Sequence, residues 1–113
     1  MAEQESYPKI WNLPAVEFIP FNELEEDHPV IIVSTAGAWE AVAEDLQQLN
    51  LASRVDVNDA SVHQWLNLTA KVQSSLAKLE SPVIYAVGGG LAVDAAKYIA
   101  KGLHLPLTCL PTA

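Results

Sequence analysis

The chain has a single cysteine, Cys109, so no disulfide can close within it and nothing in it requires an oxidising compartment. It is also short of positive charge, with six Lys and Arg against fourteen Asp and Glu and a formal net charge of −8. That balance argues against a nucleic-acid backbone and against an anionic membrane surface as partners. No apolar run reaches the length of a bilayer, and the opening MAEQESYPKI is acidic and polar rather than signal-like, so a cytoplasmic location is expected. His28, His63 and His104 are scattered without ligand spacing, and no metal site is expected within the chain. Ser/His/Asp and Cys/His arrangements are missing too, as are carboxylates paired on facing elements, so no catalytic residue is assigned.

What is present is a core. Half of the 113 residues are apolar and 18% are charged, which fits one folded domain. The acids are unevenly placed: residues 1–56 hold eleven of them against Lys9 and Arg54, whereas residues 57–113 hold three against four lysines. The chain divides into a polar arm, residues 1–29, and an α/β domain, residues 30–113. Pro8, Pro14, Pro20 and Pro29 rule out a long helix in the arm. AVEFIPF (Ala15–Phe21) suits a short edge strand, and the acidic ELEEDH suits a solvated turn.

VIIV (Val30–Val33) is an uninterrupted β-branched run, as in a strand buried on both faces. Ala38–Leu49 places Trp39, Val42, Ala43, Leu46 and Leu49 on one helical stripe. RVDV (Arg54–Val57) predicts a second strand. Asp59 and Ser61 offer caps to a helix whose stripe is Val62, Trp65, Leu66, Thr69, Val72, Leu76 and Leu79. Ser81–Pro82 ends it, VIYAV (Val83–Val87) predicts a third strand, and Ala92–Lys101 a helix closed by Gly102 in the left-handed cap position. Leu105–Pro111 predicts a fourth strand. This alternation predicts an α/β fold, a parallel sheet with right-handed crossovers. A further helix would normally follow, so the end at PTA predicts a fragment.

Three of the five glycines stand together, Gly88, Gly89 and Gly90, between the third strand and the next helix. Ligands of parallel sheets sit outside the carboxyl ends of the strands, where glycines allow close backbone approach and helix amides face the ligand. Two readings follow: a pyrophosphate cradle, or a tight strand-to-helix turn without a ligand. The run is neither the G-x-G-x-x-G fingerprint nor a Walker loop, and a kinase or ATPase is disfavoured.

GGGLAVDAAK (Gly88–Lys97), then fourteen positions from Lys97 to Pro111, then PTA, resembles the glycerol dehydrogenase and glycerol-1-phosphate dehydrogenase branch of the iron-containing alcohol dehydrogenase superfamily. The pattern there is GGG-x-x-x-D-x-A-K, a short helix, a strand and P-T. The resemblance covers residues 30–113 and is strongest from Val83 onward. It implies a Rossmann-like, dehydroquinate synthase-like N-terminal domain that binds NAD or NADP. The helical domain that follows in the family supplies Asp and His ligands to a catalytic zinc or iron, so this chain would stop short of the metal. By the same resemblance Gly88, Gly89, Gly90, Leu91 and Asp94 lie along the pyrophosphate and nicotinamide end, and Thr112 lies near the adenine and ribose. Dehydroquinate synthases carry a glycine–aromatic pair where this chain has Ala95–Lys97, and longer-looped alcohol dehydrogenases insert residues before P-T. Both differences favour the polyol and glycerol-phosphate branch.

Two positions depart from the pattern. Thr35 stands where NAD-preferring members often place an Asp for the adenosine ribose, and it cannot repel a 2′-phosphate, so NADP remains open beside NAD. Leu91 replaces a Ser, Thr or Lys, which leaves the phosphate to backbone amides. Asp94 also suits a first-turn cap, and Lys97 a solvated lysine. Cys109 is expected to be a core thiol, Trp39 and Trp65 to pack on the sheet, and Trp11 to pack on the domain or a neighbour. The function implied is alcohol oxidation by hydride transfer to nicotinamide, with a small alcohol or polyol as substrate of the full enzyme. The alternative is a stand-alone nucleotide-binding or interaction domain without catalysis. Lack of the second domain would expose an apolar face and favour a homo-oligomer.

Overall fold

The structure, a computed structural model, describes residues 20–112. The strand expected over Ala15–Phe21 falls almost wholly outside these residues, as does Trp11. The sheet contains β1 (Val30–Ser34), β2 (Leu51–Asp56), β3 (Val83–Val87) and β4 (Leu107–Leu110), all parallel, in the order β2-β1-β3-β4. Three helices connect them: α1 (Ala36–Val42), α2 (Val62–Ser75) and α3 (Gly90–Leu103). Among the described residues no helix is long and apolar enough to cross a membrane.

The order follows from the runs. β1 and β3 are buried at every residue and sit at the centre, while β2, with alternating exposure, takes an edge. From β1 the chain steps out to β2, then returns past β1 to β3 and continues to β4. Right-handed crossovers place helices of opposed steps on opposite faces. Accordingly Ile31, Val33, Ile84 and Ala86 pack with Leu68 and Val72 of α2 and Ala95, Ala96 and Ile99 of α3. Val30, Ile32, Val83, Tyr85 and Val87 face the other way, toward Val42, Leu46 and Leu49. Each fully buried Ile or Val here is worth about 1.5–3 kcal/mol relative to exposure.

The elements depart from the expected boundaries in instructive ways. The first helix breaks at Val42 (φ −123°, ψ −3°) into a 3₁₀ turn over Ala43–Leu46. Ser61 caps α2 as expected, accepting from the Gln64 amide at 3.1 Å. The stripe of α2 is as expected at Val72, Trp65, Leu76 and Leu79, but Leu68 is buried beside them while Val62 and Leu66 are each 54% exposed. Gly102 is not the cap of α3. It lies within the helix where a Cβ would come 3.9 Å from Thr69 Cγ2 of α2, and His104 (φ 57°, ψ 45°) turns left-handed instead. The Leu105 amide then donates to the Ala100 carbonyl and the His104 amide to that of Lys101, a Schellman pair. Cys109 is exposed rather than a core thiol, because β4 is the other edge of the sheet.

The acidic ELEEDH is not a wholly solvated turn either. The segment before β1 joins α1 on the face that holds Tyr85, with Phe21 and Leu24 packed against that core. The Gln48 side chain donates to the carbonyls of Phe21 (2.8 Å) and Leu24 (3.2 Å), and the Tyr85 hydroxyl donates to Glu26 Oε1 at 2.9 Å. Glu26 Oε2 in turn lies 2.7 Å from His28 Nδ1. Partial burial pushes the Glu26 carboxyl up, but hydrogen bonds from His28 and Tyr85 and the charge of His28 together hold it below its ordinary value. Burial first, and then the Glu26 carboxylate, raise the Tyr85 hydroxyl far above its ordinary value. A lowered carboxylate stabilises the fold above the unfolded-state value, and that stability is lost as pH falls through the folded-state value. Urea unfolding at pH 7 is therefore expected to show Glu26→Gln and Tyr85→Phe less stable than the parent by about 1–2 kcal/mol. At pH 3 the Glu26→Gln gap should shrink; an undiminished gap would remove the carboxylate from the account.

Candidate nucleotide-binding cleft

The strand order reverses between β1 and β3, so the loops after these two strands leave in opposite directions and open a crevice at the carboxyl edge. The structure has a cleft of about 360 Å³ there, lined by Thr35, Gly37, Ala38, Ala41, Gly89 and Thr112. Thr35 follows β1, Gly89 follows β3 and Thr112 follows β4, so three strand ends converge on it. Gly37, Ala38 and Ala41 form one side of α1, and their small side chains leave the space open.

Gly88 occupies φ +136°, a backbone region that L side chains rarely adopt. A Cβ there would lie 3.2 Å from Ala92 Cβ, 3.3 Å from Ala38 Cβ and 3.6 Å from Thr35 Oγ1. The glycine thus lets the starts of α1 and α3 approach each other. Its N–H donates to the Leu110 carbonyl at 3.3 Å, which ties the loop to the end of β4. Gly89 and Gly90 differ from it, since a Cβ on either would meet nothing within 4 Å. The first helical bond of α3 runs from the Val93 amide to the Gly89 carbonyl, so the amides of Gly90, Leu91 and Ala92 precede the helical ladder. Fourteen residues of α3 align their peptide dipoles behind these amides.

The expected site residues separate into two groups. Thr35, Gly89 and Thr112 line the cleft together, with Gly88 packed behind Thr35 and Ala38. Gly90 stands exposed at the first position of α3, and the Leu91 side chain packs into the core below, leaving its amide at the loop. Asp94 is exposed in the second turn, on the same helical stripe as Gly90, Lys97 and Lys101. The first turn of α3 holds no acid and its N-cap Gly89 makes no side-chain bond, so the capping reading of Asp94 fails. Thr35 is the N-cap of α1, yet its hydroxyl makes no capping bond and stays available to the cleft.

Sequence reasoning passed over Gly37, Ala38 and Ala41, because small residues carry no chemical signature. It also passed over a charged cluster beside the cleft. Arg54 pairs with Asp56, donates to Ser34 Oγ at 3.4 Å, and lies over the Trp39 ring with Cζ 5.6 Å from the centroid. Spacing of two along a strand puts both charges on one face, which was the available signal. Among the described residues no three His, Cys, Asp or Glu side chains gather as a metal site would need.

Residues 18–113 match the family described as Iron-containing alcohol dehydrogenase. The chain belongs to that family. Eight solved chains match it, among them the crystal structure of glycerol dehydrogenase from Schizosaccharomyces pombe, with a TM-score of 0.59 at 24% identity. That likeness shows the α/β, Rossmann-like fold. It covers 74% of this chain and 21% of the other, so the chain spans about a fifth of the length of that relative. A search of the curated proteins found no match. At this cleft the iron-containing alcohol dehydrogenase chain brings together an open glycine, the start of a helix, and Thr35 and Thr112.

Proposed function

We propose that residues 30–113 are the NAD(P)-binding domain of a metal-dependent dehydrogenase that oxidises a polyol or glycerol-phosphate alcohol. The observation that carries this reading is the cleft at the strand-order reversal, floored by the glycine loop and flanked by Thr35 and Thr112. The amides of Gly90, Leu91 and Ala92 receive the pyrophosphate, with no side-chain donor at Leu91. Thr35 faces the adenosine ribose and Thr112 the adenine side, while Asp94 lies toward the nicotinamide end. When bound, the nicotinamide supplies the hydride acceptor. Zinc or iron, which polarises the substrate hydroxyl, is assigned to a helical domain outside residues 30–113. The protein works in the cytoplasm, a reading supported by its lone cysteine.

The 113-residue chain is therefore expected to bind dinucleotide without turning over alcohol. Titration with NAD and NADP, followed by amide NMR shifts, tests this. Shifts should centre on Gly88–Asp94, Thr35 and Thr112. Unmoved amides in this loop at about millimolar cofactor, a concentration that detects affinities near −4 kcal/mol, would refute the cradle.

A further inference from the structure

The cleft is lined by residues that follow β1, β3 and β4 or belong to α1, and none of them is charged. The adjacent charge comes from β2, the strand beyond β1. In the parallel register Ile32 stands opposite Arg54 and Ser34 opposite Asp56, so both β2 side chains lie on the α1 face at the carboxyl edge. Arg54 contacts Ser34 and Trp39, the chain neighbours of Thr35 and Ala38, which line the cleft. The guanidinium is held against the back of the cleft wall. The guanidinium lies over the Trp39 ring, with Cζ 5.6 Å from its centroid, and Asp56 takes Nη1. Among the described residues its other donors make no hydrogen bond. Arg54 and Asp56 remain 32% and 46% exposed, so a ligand can reach the pair.

In α/β dinucleotide sites a carboxylate near the strand ends takes the ribose 2′-hydroxyl, or an arginine takes a 2′-phosphate. This chain holds one of each, two residues apart, next to a neutral Thr35. We propose that Arg54 is the specificity determinant that admits a dinucleotide bearing a 2′-phosphate, with Asp56 as its counterion when that phosphate is absent. The proposal rests on the nucleotide reading of the cleft. The planar fork matches two phosphate oxygens, and a phosphate dianion outcompetes a half-exposed carboxylate for it. With plain NAD, Asp56 keeps Arg54 neutralised and accepts the ribose hydroxyl.

The test is calorimetric titration of the 113-residue chain with NAD and NADP, for the parent, Arg54→Gln and Asp56→Asn. The parent should bind NADP within about threefold of NAD, and Arg54→Gln should weaken NADP by about tenfold or more with NAD changed by less than about twofold. Asp56→Asn, which leaves the guanidinium in place, should tighten NADP and weaken NAD. It gives an independent reading if Arg54→Gln does not fold. An unchanged NADP-to-NAD ratio in the folded variants overturns the proposal while leaving the cleft intact. A parent chain that binds neither dinucleotide overturns the nucleotide reading itself, and this proposal with it.

Discussion

Gly88→Ala is expected to destabilise the domain by about 2–3 kcal/mol and to abolish dinucleotide binding at the cleft. Two independent costs meet at this residue. The first is conformational: at φ +136° an alanine is strained wherever its methyl goes. The second is steric, because the methyl would press on Ala92 Cβ at 3.2 Å and Ala38 Cβ at 3.3 Å. Neither neighbour has a torsion that moves its Cβ, so the clash can be relieved only by displacing α1 or α3. Those two helix starts are the walls of the cleft, which is why stability and binding should fall together. Ala38→Gly in the same chain removes one contact and not the strain, so it should return only part of the loss. Gly90→Ala is the control. Its Cβ enters open space in the first turn of α3, where alanine is a better helix former by up to about 1 kcal/mol. Urea unfolding followed by circular dichroism compares all three. Similar losses at Gly88 and Gly90 would show that the effect does not come from the close approach.

What the sequence made legible tracks how one-sided each segment is. β1 and β3 are continuous apolar runs buried on both faces, so no choice of face arises, and Val83–Val87 emerges with its expected limits. In α2 a choice does arise, because apolar residues occupy more of the surface than one partner can cover. The expected stripe included Val72, Trp65, Leu76 and Leu79, which do pack in the core, but also Val62 and Leu66, which are exposed, and it left out the buried Leu68. The helix leans on α3 as well as on the sheet, with Trp65 and Tyr98 rings 5.7 Å apart, and that contact is a tertiary fact. Gly102 shows the same limit. A glycine near a helix end signals a left-handed cap, but here it lies within α3 on the side toward Thr69 of α2, and His104 takes the left-handed position. At the cleft the glycine run was visible from its own chemistry. Thr35 and Thr112 entered only through family resemblance, and Ala38 and Ala41 needed the fold to bring them opposite Gly89.

The contrasting result is expected one residue further on. Gly89→Asp should keep or raise stability by a few tenths of a kcal/mol, estimated as ~0.3, while weakening dinucleotide binding by about 100-fold or more. Gly89 is the N-cap of α3, in an extended conformation (φ −91°, ψ −154°) that any residue adopts, and a Cβ there meets nothing within 4 Å. Aspartate is among the preferred residues at an N-cap because its carboxylate accepts from the second or third amide of the helix. In α3 those amides belong to Leu91 and Ala92, the donors assigned to the pyrophosphate. The substitution therefore satisfies the helix with the groups the ligand needs. It also sets a negative charge at the phosphate position, where a like charge at about 4 Å costs roughly 4 kcal/mol at an effective dielectric constant near 20. Gly89→Asn separates the two effects, since it takes the same amides without the charge and should bind with intermediate affinity. Thermal unfolding and NAD titration of the three chains give stability and affinity side by side. If Gly89→Asp binds as tightly as the parent, the pyrophosphate does not sit at the start of α3. If it loses stability together with affinity, the loop tolerates less than its open geometry indicates, and the glycine is there for the turn.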